Sequence, residues 1–177
     1  AIRKRTGGRV ELLLLRRLSP GMWRALVRPG RTMREGDAFE ASKDGYTIGG
    51  EVVQVEADGS RTVRLSGEEH LDRLGVIALP PYIRGHLGDP ERYQTVYARV
   101  AGSVAAPTAG LHFTPGLLER LRTMGVELAF VTLHVGWDSF RPVRTEDFRE
   151  HRMHSEWFEI GEEAADAVNR AKREQRR

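Results

Sequence analysis

Adjacent prolines, Pro80 and Pro81 in the stretch LPPYI, separate regions of the chain that follow different periodicities. Each pyrrolidine ring fixes φ and removes a backbone donor, so neither a helix nor a central strand is expected to run through the pair. The expected domains are residues 1–79 and 80–177. Ahead of the prolines, RVELLLLRRL and MWRALVRP are short apolar runs divided by SPG, and TIGGEVVQVEADGSRTVRLSG holds two alternating runs joined at Asp58-Gly59. Asp-Gly between such runs is a hairpin signal. Val52, Gln54 and Glu56 alternate with Val53 and Val55, which predicts one wetter strand face. Gly49-Gly50 lies between strand-like runs and opens no helix, so it reads as a turn and not as a phosphate loop. Short strands at close spacing with Gly and Pro punctuation predict a small β-barrel or sandwich.

Behind the prolines the pattern turns helical. Thr114 is a candidate N-cap and Pro115 suits the first helical position, while Leu117, Leu118, Leu121 and Met124 repeat at helical spacing until Gly125. A helix over 114–124 is expected, and another over 162–174. Between them VELAFVTLHVG is a nearly continuous apolar run, as a strand covered on both faces requires. With YQTVYARV as a parallel neighbour, this region becomes an α/β domain with a mixed or parallel sheet. His112, just before the first helix, and His134, near the end of the strand, would then lie at the sheet's carboxyl edge, where open α/β sheets bind ligands. Thr132 and His134 share one side of the strand.

His112 sits in VAAPTAGLHF, among small residues that let a ligand approach the backbone. A helix start offers unpaired N–H groups to an anion, and an imidazole exchanges a proton near neutral pH. A structural hydrogen-bonding role for the histidine stays open beside this site reading. In EHRMHSEWFEI, His151 and His154 stand three apart with Glu156 two further on. Nothing nearby completes a tetrahedral ligand set, so no metal is expected, and a polar network in which Glu156 orients a histidine fits better.

Hydrophobic residues make up 40% of the 177, enough for one good-sized core or two small ones. No window has the uninterrupted apolar length of a membrane span, and cysteine is absent. A soluble, cytoplasmic protein of a reducing compartment, acting as a monomer, is expected. Residues 1–34 hold ten basic side chains against the single acid Glu11, whereas residues 35–80 hold ten acids against four bases. Such asymmetry can mark a footprint for nucleic acid, with Arg24, Arg28, Arg31 and Arg34 as candidate phosphate contacts. Since 25 of the 28 basic residues are arginine, genome base content or adaptation to heat is the other reading.

VAAPTAGLHFT, VTLHVG, FRPV and HRMHSEWF, in this order and spacing, resemble the S-adenosylmethionine:tRNA ribosyltransferase-isomerase family of queuosine biosynthesis. GGRVELLLLRR, LPPYI and ERYQTVYA fit the same family, so the resemblance runs through nearly the whole chain. It implies a β-barrel domain joined to an α/β catalytic domain, and a longer protein of which this chain is a portion. It also implies transfer of the ribosyl group of S-adenosylmethionine, a co-substrate, to 7-aminomethyl-7-deazaguanine at the wobble position of tRNAs with GUN anticodons. The products would be epoxyqueuosine-tRNA, adenine and methionine. Trp137-Asp138 departs from the small pair, such as Gly-Thr, that usually follows the His-Val-Gly of the family.

A sulfonium acidifies the adjacent C5′ protons, so the implied chemistry needs a positioned base, a proton for the leaving adenine and a neutral amine. By motif position and residue chemistry, His112 is the candidate base and His134 an acid or base, with Glu156 orienting His154. Thr108, Gly110, Phe113, Gly136, Phe140 and His151 would shape the substrate pocket, the aromatics by stacking on a base. A non-catalytic tRNA-binding module with structural histidines is the alternative from another class.

Overall fold

A computed structural model describes residues 2–4, 7–80, 83, 87–140, 145–150 and 155–176. Their fold is mixed α+β, with a curled antiparallel sheet and three α-helices. The chain divides into two compact units, Ala1–Ala78 and Leu79–Arg177.

The first unit contains β1 (Ile2–Lys4), β2 (Arg9–Ser19), β3 (Met22–Arg28), β4 (Ala38–Lys43), β5 (Tyr46–Val55) and β6 (Arg61–Ser66). They pair in the order β1-β2-β3-β6-β5-β4, and β4 returns to β1 through Ile2↔Ala41, which closes the barrel. The β5–β6 hairpin turns at Asp58-Gly59, where Gly59 takes φ +84°. The Asp58 carboxylate accepts bonds from the Ser60 hydroxyl at 2.6 Å and the Ser60 N–H at 2.9 Å. Those bonds hold its pKa below the ordinary carboxylate value. Val10, Ala25, Met33, Phe39, Ile48, Val52, Val63 and Leu65 form the buried core, and Leu71 and Leu74 of α1 (Leu71–Leu74) pack against it.

Two local expectations fail here. Gly49-Gly50 is no turn: it lies inside β5, paired with Glu40 and Phe39 on one side and with Ser66 and Leu65 on the other. A Cβ at Gly50 would run into the Phe39 ring, so the missing side chain is the space this core aromatic occupies. The expected alternation of a wetter and a drier face also breaks down, since Gln54 is exposed together with Val53 and Val55. Val52 is fully buried against its partner Val63, whereas Val53 and Val55 are exposed. A register shift between Val52 and Gln54 makes Val53 an extra residue, and beyond this bulge the strand leaves the core.

In the second unit, α2 (Pro115–Thr123) starts where expected, with the Thr114 hydroxyl accepting from Leu117 N at 3.1 Å. It ends on Gly125 at φ +81°, with bonds from Gly125 N to Arg122 O and from Val126 N to Leu121 O, a Schellman closure. The last helix, α3 (Glu162–Arg173), has Glu162 and Glu163 in its first turn and Arg170, Lys172 and Arg173 in its last, complementing its dipole. Although the sequence carries no glycine stop there, Gln175 takes φ +53° and Arg176 N bonds Ala171 O, so the helix closes in the same way. An ion pair from Arg170 to Glu127 ties α3 to the residues after α2.

No parallel sheet forms among the described residues. Thr132–His134 is a strand of three residues, β7, and pairs antiparallel with β8 (Trp157–Glu159). YQTVYARV supplies no strand: Pro90–Tyr93 is a 3-10 turn, and the stretch after it is irregular. The rest of the long apolar run stays outside the sheet, with Val126, Phe130 and Val131 exposed, because no described strand or second layer lies beside it to pair with or cover it.

Candidate active site

The small-residue run ahead of α2 is sewn to the end of β7. Val104 and Ala105 donate their backbone N–H groups to Val135 O at 3.0 and 3.3 Å. The Ser103 hydroxyl donates to Leu133 O at 3.3 Å and accepts from Val135 N at 2.9 Å. Approach this close needs small side chains, and Gly102 shows why: it takes φ +148°, and a Cβ there would run into the His134 imidazole. His134 also lies opposite Trp157 in the β7–β8 register, their rings 4.7 Å apart and inclined by 36°. Thr132 and His134 share the more buried side of β7, as their spacing predicts, while Leu133 faces outward. The Nε2 of His134 is buried without a hydrogen-bond partner among the described residues. Leaving such an atom without any partner costs about 1–3 kcal/mol, so the Nε2 is a place where a further hydrogen-bonding group fits.

His112 ends the 3-10 turn Thr108–His112 and is exposed, its Nδ1 3.2 Å from Ala109 O. A backbone carbonyl only accepts, so in the neutral imidazole this bond puts the proton on Nδ1 and the lone pair on Nε2. Thr108 is exposed at the start of the same turn. Gly110 is buried, and a Cβ there would meet the Tyr97 hydroxyl and Thr95. Tyr97 packs edge-on to Phe113 at 6.3 Å and tilted to Phe130 at 6.2 Å, which places Phe113 in an aromatic cluster. The two histidines are not joined: among the described residues no hydrogen bond or ring contact links His112 to His134, and the shared carboxyl edge falls with the parallel sheet.

Glu156 binds the backbone and side chain of a neighbouring turn. Its Oε1 accepts from Gly136 N at 2.9 Å and from the Ser139 hydroxyl at 3.0 Å, fixing the 3-10 turn Trp137–Phe140 that contains Phe140 and the departure at Trp137-Asp138. His151 and His154 lie outside the described residues. Among the described residues no group of three His, Asp or Glu side chains is placed to hold a metal ion.

The four candidate phosphate contacts divide. Arg24 is engaged within the barrel, 3.1 Å from the Glu56 carboxylate and 2.6 Å from the Ser60 hydroxyl, with Asp58 at 3.5 Å. Arg28, Arg31 and Arg34 are exposed on and after the end of β3. The loop carrying them rests on a residue that charge counting passes over. Arg61 is only 8% exposed and donates to the carbonyls of Gly30, Met33 and Gly59. No local signal separates it from the surface arginines. Trp157 is a second residue that sequence reasoning misses, although its place directly after Glu156 in HRMHSEWF is an available clue.

The queuosine biosynthesis protein model matches residues 1–177. The chain belongs to that family. An S-adenosylmethionine:tRNA ribosyltransferase-isomerase of Thermus thermophilus is 56% identical over 182 residues, covering 99% of this chain and 52% of that protein. The protein of the same name from Pelotomaculum thermopropionicum is 54% identical over 92% of this chain and 48% of its own length. Among solved structures, the crystal structure of an S-adenosylmethionine tRNA ribosyltransferase from Thermotoga maritima is 26% identical over 98% of this chain and 44% of that one, with a TM-score of 0.34. The chain therefore spans about half the length of the curated family members it matches.

Proposed function

We propose that this chain is the barrel-bearing portion of an S-adenosylmethionine:tRNA ribosyltransferase-isomerase. In this reading residues 1–79 form the barrel domain and residues 80–177 belong to the α/β catalytic domain. The observation that carries the reading is 56% identity, extending over 99% of the chain, to a protein of that name. S-adenosylmethionine is the co-substrate and tRNA with a GUN anticodon, carrying 7-aminomethyl-7-deazaguanine, is the acceptor. His112, with its Nε2 lone pair free, takes the C5′ proton next to the sulfonium. His134 supplies a proton to the departing adenine. Glu156 keeps the Gly136–Ser139 turn in shape, while His151, Thr108, Gly110, Phe113 and Phe140 shape the pocket and His154 completes the polar network. Arg28, Arg31 and Arg34 meet tRNA phosphates, and Arg24 serves the barrel.

His112→Ala in the full-length protein tests this. General acid–base groups contribute about a hundredfold to ten-thousandfold, so epoxyqueuosine formation, followed by mass spectrometry of tRNA, should fall by at least about a hundredfold with an unchanged melting temperature. Turnover near that of the parent would remove His112 as the base.

A further inference from the structure

We infer that the exposed face of Trp157 is a stacking platform for the planar base of a nucleoside-type substrate. The inference rests on the functional reading above and deepens it by adding a substrate-binding residue. Trp157 is packed on one side by the His134 imidazole at 4.7 Å, yet the residue stays 52% exposed. Its position is held by backbone pairing, His134↔Trp157, and the imidazole beside it is in turn seated against Gly102. An indole with one face supported and the other open offers stacking surface at low ordering cost.

The neighbouring rung carries polar groups on the same face. Thr132 pairs with Glu159, and both lie two residues from the stacked pair, so the alternation of the strand turns them the same way. A base lying on the indole would have a carboxylate and a hydroxyl beside its edge, suited to exocyclic amino or ring N–H donors. The opposite face of the two-stranded sheet differs: Leu133 pairs with Phe158 and brings no polar group. Adenine of S-adenosylmethionine and the deazaguanine of tRNA both present a flat ring with amino donors. The chemistry of the site is shared between them.

The test uses the full-length protein, 15N-labelled, whose indole N–H signal from Trp157 is assigned by its loss in Trp157→Phe. Titration with S-adenosylmethionine in one arm and 7-aminomethyl-7-deazaguanine in the other should shift that signal in at least one arm, and the arm that responds identifies the base. Base–aromatic stacking predicts that Trp157→Leu raises the Kd of the responding ligand by about tenfold to a hundredfold, whereas Trp157→Phe stays within about threefold. A Trp157 signal unmoved by both ligands at saturation overturns the inference. So does a Trp157→Leu protein with parental affinity for both. The indole shifts are read on the unsubstituted protein, so a poorly folded Trp157→Leu protein leaves the test standing. Product formation is measured separately. Epoxyqueuosine made at parental KM values by Trp157→Leu would sink the platform and leave the reaction in place. An indole shift without any epoxyqueuosine would do the reverse.

Discussion

The two units of this chain use apolar sequence in opposite ways. In the barrel, every strand has two paired neighbours and eight side chains form one buried core. In Leu79–Arg177 the described sheet has two strands of three residues, and Val96, Val100, Met124, Val131, Leu133, Phe158 and Ile160 are all exposed. Among the described residues its buried side chains are mostly small or polar, Ala105, Ala106, Thr95 and Ala164, with Pro80 and Tyr93 the larger exceptions. A closed barrel satisfies its own backbone groups and has no edge, so its stability is contained within it. The second unit is held by side-chain and backbone bonds around short elements, which gives geometry without much burial. The candidate catalytic groups His112, His134 and Glu156 stand in that less buried unit, in keeping with function being carried on segments of low local stability.

The largest expected difference between the units is in core truncation. Met33→Ala, at a fully buried site, should destabilise the barrel by about 2–5 kcal/mol, whereas Leu133→Ala, at an exposed site, should change stability by no more than about 0.5 kcal/mol. Chemical denaturation followed by Trp23 fluorescence for the first, and by circular dichroism for the second, provides the comparison. Equal losses would mean that Leu133 has a covered environment in solution.

Filling the strand glycine should have the next largest effect. Gly50→Ala forces its new methyl against the Phe39 ring, and overpacking of this kind costs about 1–3 kcal/mol. Pairing it with Phe39→Leu should recover some of the loss, and a double-mutant cycle measures how much. No recovery would show that the space above Gly50 is not set by Phe39.

Hydrogen exchange addresses the contrast as a whole. Amides of β2, β3, β5 and β6 should exchange only with global opening of the barrel, and those of residues 105–177 much faster. Stronger protection in the second unit would reverse the comparison.

The arginines give a smaller, electrostatic effect. Replacing Arg28, Arg31 and Arg34 by Gln should flatten the dependence of log Kd for tRNA on log salt by roughly 2 to 3, as phosphate contacts release fewer counterions. Arg24→Gln should leave that slope alone and lower barrel stability, since its partners are Glu56, Asp58 and Ser60.

The smallest effect is a pH dependence confined to the barrel. The Arg17 guanidinium, and then the Trp23 indole at 2.9 Å, hold Glu68 at a pKa of about 2, below its ordinary 4.5. Because the folded value is the lower one, the contribution is complete above pH 4.5 and fades as pH falls toward 2. Acid titration of stability should therefore be flatter in Glu68→Gln over that window. An identical titration in both proteins would show that the pair is fully screened by solvent.

Much of this architecture follows from adjacent residues alone. The Asp58-Gly59 hairpin, the Thr114-Pro115 helix start and the Gly125 stop each depend on a few neighbours, and local chemistry is all that a cap or a tight turn requires. The place of Gly49-Gly50 inside a strand, the bulge at Val53 and the burial of Arg61 depend instead on Phe39, Val63 and the carbonyls of Gly30 and Met33, all distant along the chain. The parallel sheet fails for the same reason: an apolar run says that cover is needed, not which strand provides it. At the site, the motifs point to His112, His134 and Glu156. Only the tertiary structure sets His134 against Gly102 and Trp157 and turns Glu156 toward Gly136 and Ser139, because contacts between segments follow from how the chain packs.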